Sequence, residues 1–126
     1  MSRRRRLPDA LHPISVEPTP SRVRVLVGDT VVADTTAALT LRESTYPPVV
    51  YVPRSDLDAS VVSPTDTSTY CPFKGTASYV SITTPEGIVE DGGWTYPEPY
   101  GAVASIRGHV AFYPDRVAVE VEHTAG

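Results

Sequence analysis

Residues 22–34 read RVRVLVGDTVVAD, and this stretch decides the fold class. In its first half, Val23, Val25 and Val27 recur at every second position, which is the period of a strand with one apolar face. The glycine and aspartate that follow are typical of a turn, and residues 31–34 return as a second strand. The stretch therefore predicts a β-hairpin.

Outward from this hairpin, short apolar or β-branched runs alternate with turn residues, a pattern typical of antiparallel strands. The 13 prolines and 8 glycines leave little room for long helices. The run at 37–43 also contains alanine and leucine, so a helix is the alternative to a strand there. Strands are predicted at residues 37–43, 46–53, 76–82, 101–106, 109–113 and 117–121, and the strands after the run 46–53 resume from Ser68. Pro85-Glu86-Gly87 predicts a turn.

Three local features add detail to this prediction. Prolines bracket the run 46–53, which indicates an edge strand. Residues 55–59 are expected to form one helical turn capped by Ser55. Pro114-Asp115 is expected to be the turn of a hairpin that joins the last two strands.

The predicted strand 76–82 has two distinct faces. Alternation places Val80 and Ile82 on one face and Ala77 and Tyr79 on the other. Together the strands predict an all-β fold, a small antiparallel domain of two packed sheets or a barrel-like form, with at most one or two short helical turns.

The length of 126 residues suits one domain with a real core. Residues 1–20 are assigned to a flexible tail rich in arginine and proline, and residues 21–123 to a single β domain. The net charge is −4 although Arg3–Arg6 form a cationic run, so the rest of the chain is more acidic. An acidic domain is a poor match for a phosphate backbone, so nucleic acid is not an expected partner of the folded part.

The composition also bears on location. No segment approaches the length of a membrane span, and no apolar stretch follows the arginine run as it does in a secretory signal. Cys71 is the only cysteine and cannot form an intrachain disulfide. These features predict a cytoplasmic protein that does not bind a membrane.

Rare residue types concentrate in two short blocks. Residues 69–75, TYCPFKG, hold the only cysteine and the only lysine, Lys74. Residues 94–99, WTYPEP, begin with the only tryptophan, Trp94. Composition alone would scatter such residues, so their concentration predicts a site or an elaborate turn.

These blocks belong to a longer ordered pattern that resembles the family catalogued as domain of unknown function 427. The core of the match is CPFKGTASY at residues 71–79, together with the block at 94–99. The resemblance covers nearly everything after the arginine run. The other matching positions are His12-Pro13-Ile14, Ala33-Asp34-Thr35, Leu41-Arg42-Glu43, Pro47-Pro48, Tyr51, Pro53-Arg54, Asp56, Ile106, Gly108 and Ala111-Phe112-Tyr113.

The resemblance implies a β-tent, the architecture shared by methionine-R-sulfoxide reductases and the drug-binding domain of cereblon. In a β-tent two antiparallel sheets meet near one edge and open at the other, which leaves a cleft. Many β-tents hold zinc with two Cys-x-x-Cys pairs. A chain with one cysteine cannot build that site, so neither structural zinc nor another cofactor is expected.

Some catalogues give the family a nucleotidyltransferase label. That chemistry needs carboxylates that hold metal ions against a triphosphate. The one candidate pair is Asp56 and Asp58, and no glycine-rich phosphate loop precedes it. We interpret both aspartates as parts of a solvated turn, and we set the label aside.

The spacing of Cys71 and Lys74 suggests a reactive thiol. Pro72 lies between them and Gly75 follows, so the segment is able to curl and bring the ammonium to the sulfur. A nearby cation favours the thiolate, and Cys71 would then be a nucleophile activated by Lys74. The alternatives are that Cys71 is a small buried side chain, and that Lys74 binds an anion or forms a structural ion pair.

The aromatic residues all lie between Tyr46 and Tyr113, and a tyrosine-rich set is able to build a concave wall with polar tips. Trp94 and Tyr96 share a face if the backbone there is extended. On that face they line a ligand cleft or fill the core, and both interpretations stay open.

Two charge pairs, Arg42-Glu43 and Arg54 with Asp56, lie near the ends of predicted strands. An arginine fork suits the recognition of a carboxylate or a phosphate. Strand-end charges also commonly pair with one another, so an internal ion pair is the favoured alternative.

The leading prediction is a domain that binds a small polar or anionic metabolite in a cleft formed by the two blocks. One alternative is an enzyme in which Cys71 is the nucleophile and Lys74 its activator, for acyl, thiol or group-transfer chemistry. A second alternative is a structural or interaction protein that forms a homodimer through an exposed sheet edge. The expected ligand-binding residues are Arg42, Glu43, Tyr51, Arg54, Asp56, Tyr79, Trp94 and Tyr96.

Overall fold

A computed structural model describes residues 5–122 of the chain. This part forms ten strands and two short 3-10 turns, the first at Arg54–Asp56 and the second at Gly101–Ile106. The strands are β1 (Ile14–Pro18), β2 (Val23–Val27), β3 (Thr30–Thr35), β4 (Leu39–Glu43), β5 (Val49–Pro53), β6 (Val62–Cys71), β7 (Gly75–Thr84), β8 (Gly87–Thr95), β9 (His109–Phe112) and β10 (Ala118–Val121).

The strands form two antiparallel sheets, which confirms the predicted all-β class. The large sheet has seven strands in the order β1-β4-β5-β9-β8-β7-β6, and the small sheet has three in the order β10-β2-β3. Within residues 5–122 the two sheets do not close into a barrel. No helix in that range is long and apolar enough to cross a membrane.

The hairpin predicted at residues 22–34 is present as β2 and β3, paired from Val23↔Thr35 to Val27↔Thr30. Gly28 has a φ of 56°, a left-handed conformation that glycine adopts without steric cost. Val23 and Val25 are completely buried, as their alternation predicts. The hairpin therefore supplies the inner face of the small sheet.

The core has two parts because the large sheet buries side chains on both faces. One cluster joins β2 and β3 of the small sheet to residues of the large sheet that include Val80 and Ile82. The other contains Ala77 and Tyr96, with Tyr79 packed against it, and is covered by the second 3-10 turn. The alternation predicted for residues 76–82, which lie in β7, is thus confirmed. The face of the large sheet that holds Ala77 and Tyr79 carries the candidate site.

Several local predictions are wrong. The strand β5 is not an edge strand, because it lies between β4 and β9. Its prolines precede the strand or end it at Pro53, so the amide groups of its interior remain free to pair. Pro114-Asp115 does not join a hairpin, because β9 belongs to the large sheet and β10 to the small one.

The strand predicted at 101–106 is also wrong, since this segment is the second 3-10 turn. Val103 and Ile106 are both fully buried, and a spacing of three residues suits one face of a 3-10 turn. At the first 3-10 turn, Ser55 is not the cap, because Pro53 occupies that position and no side chain caps the turn.

Three strands of the structure differ from the prediction: two begin earlier than expected, and one was not expected. Residues 14–18, assigned to the tail, form β1 and pair with β4. The strand β6 starts at Val62, six residues before the predicted return of strands at Ser68. The strand β8 was not predicted, although the turn before it, at Pro85-Glu86, is present. The signal in β8 is weak because it contains two consecutive glycines.

Candidate functional site

The CPFKG block forms the tip of the hairpin between β6 and β7. Cys71 pairs with Gly75 across the two strands, and the amide of Lys74 donates a hydrogen bond to the carbonyl of Cys71 at 3.2 Å. Pro72 restricts the backbone at the start of the turn, and Gly75 has a φ of 111° that other residues rarely adopt. This turn folds the side chain of Lys74 back toward the large sheet.

Lys74 meets a carboxylate from a strand that is remote in sequence. Its ammonium lies 2.5 Å from Oε1 of Glu43, at the end of β4. The other oxygen of Glu43, Oε2, lies 2.7 Å from Nε2 of His12. The side chains of Lys74 and Glu43 are only 11% and 14% exposed, so this pair is shielded from water.

His12 reaches Glu43 because β1 pairs with β4, with Ile14 opposite Glu43. Its ring stacks on Phe73 of the hairpin tip, with centroids 3.9 Å apart and an angle of 5° between the planes. The N-terminal segment therefore packs against the same turn that presents Lys74.

The environment of Glu43 keeps its carboxylate ionised. Burial acts to raise the pKa of Glu43, but the hydrogen bonds and charges of Lys74 and His12 outweigh it and hold that pKa below its usual range. Both oxygens of Glu43 are thus engaged as acceptors.

Lys74 and Glu43 lie at one side of a cavity of about 180 Å³. Trp94 donates a hydrogen bond from Nε1 to the hydroxyl of Tyr51 at 3.2 Å, and its ring lies 4.6 Å from that of Tyr113. The cavity is lined by Leu41, Glu43, Tyr46, Pro47, Val49, Tyr51, Lys74, Tyr79, Trp94, Tyr96 and Tyr113, and we call it the tyrosine cavity.

The hydroxyls of Tyr51, Tyr96 and Tyr113 stay protonated at neutral pH. Burial raises the pKa of Tyr51 and of Tyr96 above the usual tyrosine value. Burial and a hydrogen bond to Tyr79 raise the pKa of Tyr113 to about 12. Each phenol is therefore a neutral O–H group that is able to donate a hydrogen bond.

Tyr96 has a donor that the protein does not use. Its side chain belongs to a residue that is only 7% exposed, and it lines the tyrosine cavity. Among residues 5–122 no hydrogen bond to its hydroxyl is present, although Glu43, Cys71 and Tyr51 are close enough to act on its pKa. This hydroxyl is therefore available to donate a hydrogen bond to a ligand in the cavity.

Comparison with known families adds one finding. A family model described as a domain of unknown function (DUF427) matches residues 15–123. The chain belongs to this family. None of the curated proteins compared with the chain matches it.

In this DUF427 domain, six of the predicted site residues line one cavity. They come from four strands and from the tip of the β6–β7 hairpin. Trp94 and Tyr96 share a face of the chain at the end of β8, as their spacing predicts. The six residues are Glu43, Tyr51, Lys74, Tyr79, Trp94 and Tyr96.

Cys71 lies beside the tyrosine cavity rather than on its wall. Its sulfur is 3.5 Å from the ammonium of Lys74, so the turn brings the two side chains together as their spacing suggests. Cys71 is a half-buried free thiol that packs against the second core cluster.

Three predicted residues lie elsewhere. Arg42 is exposed because it alternates with Leu41 and Glu43 on β4, so its side chain takes the opposite face. Arg54 and Asp56 are exposed in the first 3-10 turn, and Asp56 accepts a hydrogen bond from Thr35 at 2.6 Å.

The expected ion pairs are also wrong within the described part of the chain. Glu43 pairs with Lys74 and His12 instead of Arg42, and no ion pair joins Arg54 to Asp56. Asp56 and Asp58 are both exposed, and Asp58 accepts its hydrogen bonds from Ser60. No group of three or more metal-binding side chains among residues 5–122 is arranged to hold an ion.

Sequence reasoning missed His12, Tyr46 and Tyr113. His12 lies near the N-terminus and carries no chemical signal of its own in the sequence, although it begins the string that matches the family. Tyr46 and Tyr113 are the first and the last aromatic residues of the chain. The concentration of aromatic residues between them was the signal that could have assigned both to the cavity wall.

Proposed function

We propose that this DUF427 domain binds a small polar or anionic metabolite in the tyrosine cavity, through an oxygen atom of the ligand. The observation that supports this most is the Tyr96 hydroxyl, which lines the cavity and has no hydrogen-bond partner among residues 5–122. A ligand that accepts this hydrogen bond takes the place of water at a group that the described protein residues leave unpaired.

Several donors around the cavity are not used within the described part of the chain. Lys74 has three N–H groups, of which one faces Glu43 and another faces the sulfur of Cys71. The hydroxyl of Tyr51 accepts from Trp94 and so keeps its own hydrogen to donate. Each oxygen of Glu43 already accepts one hydrogen bond, so the unused donors suit a ligand that accepts hydrogen bonds, such as a carboxylate, carbonyl or phosphate oxygen.

Native mass spectrometry of freshly purified protein tests this proposal. We expect a co-purified small mass in the wild type that is lost in Lys74→Met and in Trp94→Ala. Arg42→Met is the matched control, because Arg42 is an exposed cation on β4 that does not line the cavity. Retention of the mass in all three variants, or its absence together with no hit in a broad thermal-shift screen, would contradict the proposal.

An enzyme is the second candidate, and the contact of 3.5 Å between Lys74 Nζ and Cys71 Sγ favours it. In that role the thiolate attacks an electrophilic carbon and expels a leaving group. Iodoacetamide should then alkylate Cys71 faster than a free thiol at neutral pH, and Lys74→Met should slow the reaction strongly. Slow alkylation that does not depend on Lys74 removes this candidate.

The third candidate is a homodimer that pairs through a sheet edge. Within the described chain, the large sheet ends in β1 and β6, and the small sheet in β3 and β10. Light scattering should then give twice the mass of the chain, and Lys74→Met and Trp94→Ala should not change it. A monomer at all concentrations rules this candidate out.

A further inference from the structure

An apolar groove lies beside the tyrosine cavity. It has a volume of about 540 Å³ and runs between the two sheets. Val49 and Val50 of β5 and Phe112 of β9 form the side that belongs to the large sheet. Val119 and Val121 of β10 form the side that belongs to the small sheet, and prolines complete the wall.

The groove and the cavity adjoin, because they share part of their lining. Glu43, Tyr46, Pro47, Val49 and Trp94 line both of them. Trp94 stands at the boundary, with its indole nitrogen bonded to Tyr51 on the cavity side. Tyr46 is 63% exposed, so the shared rim opens to solvent.

The two hollows differ in chemistry and in size. The cavity holds the unused donors of Tyr96, Tyr51 and Lys74, and its volume is below the range of roughly 300–1,000 Å³ that is usual for ligand pockets. The groove is within that range, and Glu43 is its only charged residue. A ligand that fits both has a compact oxygen acceptor at one end and an apolar body at the other.

We propose that the ligand is an amphipathic carboxylic acid, with its carboxylate in the tyrosine cavity and its hydrocarbon part in the apolar groove. This inference rests on the proposed function and names the class of ligand for the same site. Lys74 and two phenols donate to the carboxylate, whereas the ammonium of Lys74 would repel a ligand ammonium in the same place. Hydrocarbon in the groove removes apolar surface from water on both partners.

The test is calorimetric titration of the full chain with acetate, butyrate, hexanoate and octanoate, all below the micellar range, and with octylamine as the probe with the opposite charge. We expect the affinity of the carboxylates to rise about fourfold for each added methylene until the groove is filled. Octylamine should not bind. Equal binding of octylamine would overturn the inference.

Two variants separate the head of the ligand from its tail. Val119→Thr keeps the volume and β-branching of the side chain but places a hydroxyl in the groove. It should therefore reduce the gain in carboxylate affinity per added methylene. Val31→Thr is the control, because Val31 is an exposed valine of β3 outside the groove. Lys74→Met should lower the affinity for every carboxylate by at least tenfold, whatever the length of its hydrocarbon chain.

The outcomes distinguish this inference from the proposed function. If all carboxylates bind with one affinity, the apolar part of the inference is wrong and the proposed function stands. If no carboxylate binds although a small mass co-purifies with the wild type and not with Lys74→Met, the ligand class is wrong and the site is right. If light scattering shows a dimer that Val119→Thr dissociates, a second copy covers the groove and the inference is overturned.

Discussion

Glu43 is the residue on which the charge arrangement of the cavity depends. Its two oxygens join Lys74 of the hairpin tip to His12 of the N-terminal segment, and both partners lie 31 residues away in the chain. Lys74 is the only lysine, so no neighbouring cation is able to replace it. Loss of Lys74 or of Glu43 leaves the other residue as a charge without this partner in a shielded position.

Lys74→Met should therefore lower the free energy of unfolding by about 2–3 kcal/mol, because Glu43 loses a charged hydrogen bond. The double variant Lys74→Met with Glu43→Gln should recover most of this loss, since it removes both charges. Urea unfolding at neutral pH measures each value. If the double variant is less stable than Lys74→Met, the two residues do not compensate each other.

Acid should destabilise the protein partly through Glu43. The folded state holds the pKa of Glu43 below the usual value of 4.5, so its stabilising effect is present above pH 4.5 and disappears as the pH falls through the lowered pKa. Glu43→Gln lacks this effect, and its stability should fall less between neutral and acidic pH. Urea midpoints at several pH values measure this difference.

Glu120→Gln is the control for the acid prediction, because Glu120 is exposed on β10. Other carboxyls with a lowered pKa, such as Asp34 and Asp91, are present in all three proteins, and their contributions cancel in the comparison. An acid response of Glu43→Gln equal to that of the wild type would show that its carboxylate does not stabilise the fold.

At the scale of the element, the tip of the β6–β7 hairpin positions the site. Its three-residue loop between Cys71 and Gly75 places Lys74 over Glu43 and Phe73 against His12. Because the loop is short, its backbone geometry leaves few alternatives for these side chains.

Gly75→Ala should disturb this geometry. Its φ of 111° strains any other residue, and an added Cβ would lie 3.2 Å from the carbonyl oxygen of Glu98. We expect a loss of about 2 kcal/mol in stability and weaker ligand binding. Gly87→Ala is the matched control, because Gly87 has a φ of 127° with nothing within 4 Å, and it isolates the backbone strain. Equal losses in stability would mean that the contact with Glu98 does not matter.

Other elements show why some strands were predicted and others were not. The faces of β7 follow from alternation within a few residues, so Val80 and Tyr79 were placed correctly. The strand β5 was assigned to an edge because local proline chemistry does not indicate which strands become neighbours. The segment with Val103 and Ile106 was assigned to a strand because short apolar runs have no decisive period.

At the scale of the whole molecule, the first core cluster ties the two sheets together. Val23 and Val25 of the small sheet pack in the same cluster as Val52, Val80 and Val110 of the large sheet. Separating the sheets would expose this apolar surface, so the sheets should unfold as one unit.

Trp94 reports on the large sheet alone, because it is the only tryptophan and lies in β8. Far-ultraviolet circular dichroism reports on both sheets. We expect the two signals to follow a single urea transition with the same midpoint, and a small-sheet transition at lower urea would contradict this view of the core.

The sequence by itself determined the all-β class and the β2–β3 hairpin, and it indicated the shared face of Trp94 and Tyr96 and the contact between Cys71 and Lys74. Each of these depends on residues that are close in the chain, where backbone geometry and a two-residue period decide the outcome. Only the tertiary structure decided that Lys74 pairs with Glu43, that His12 completes this group, and that a groove between the sheets adjoins the cavity. These features depend on strand order and register, and those follow from the packing of distant residues that local patterns do not contain.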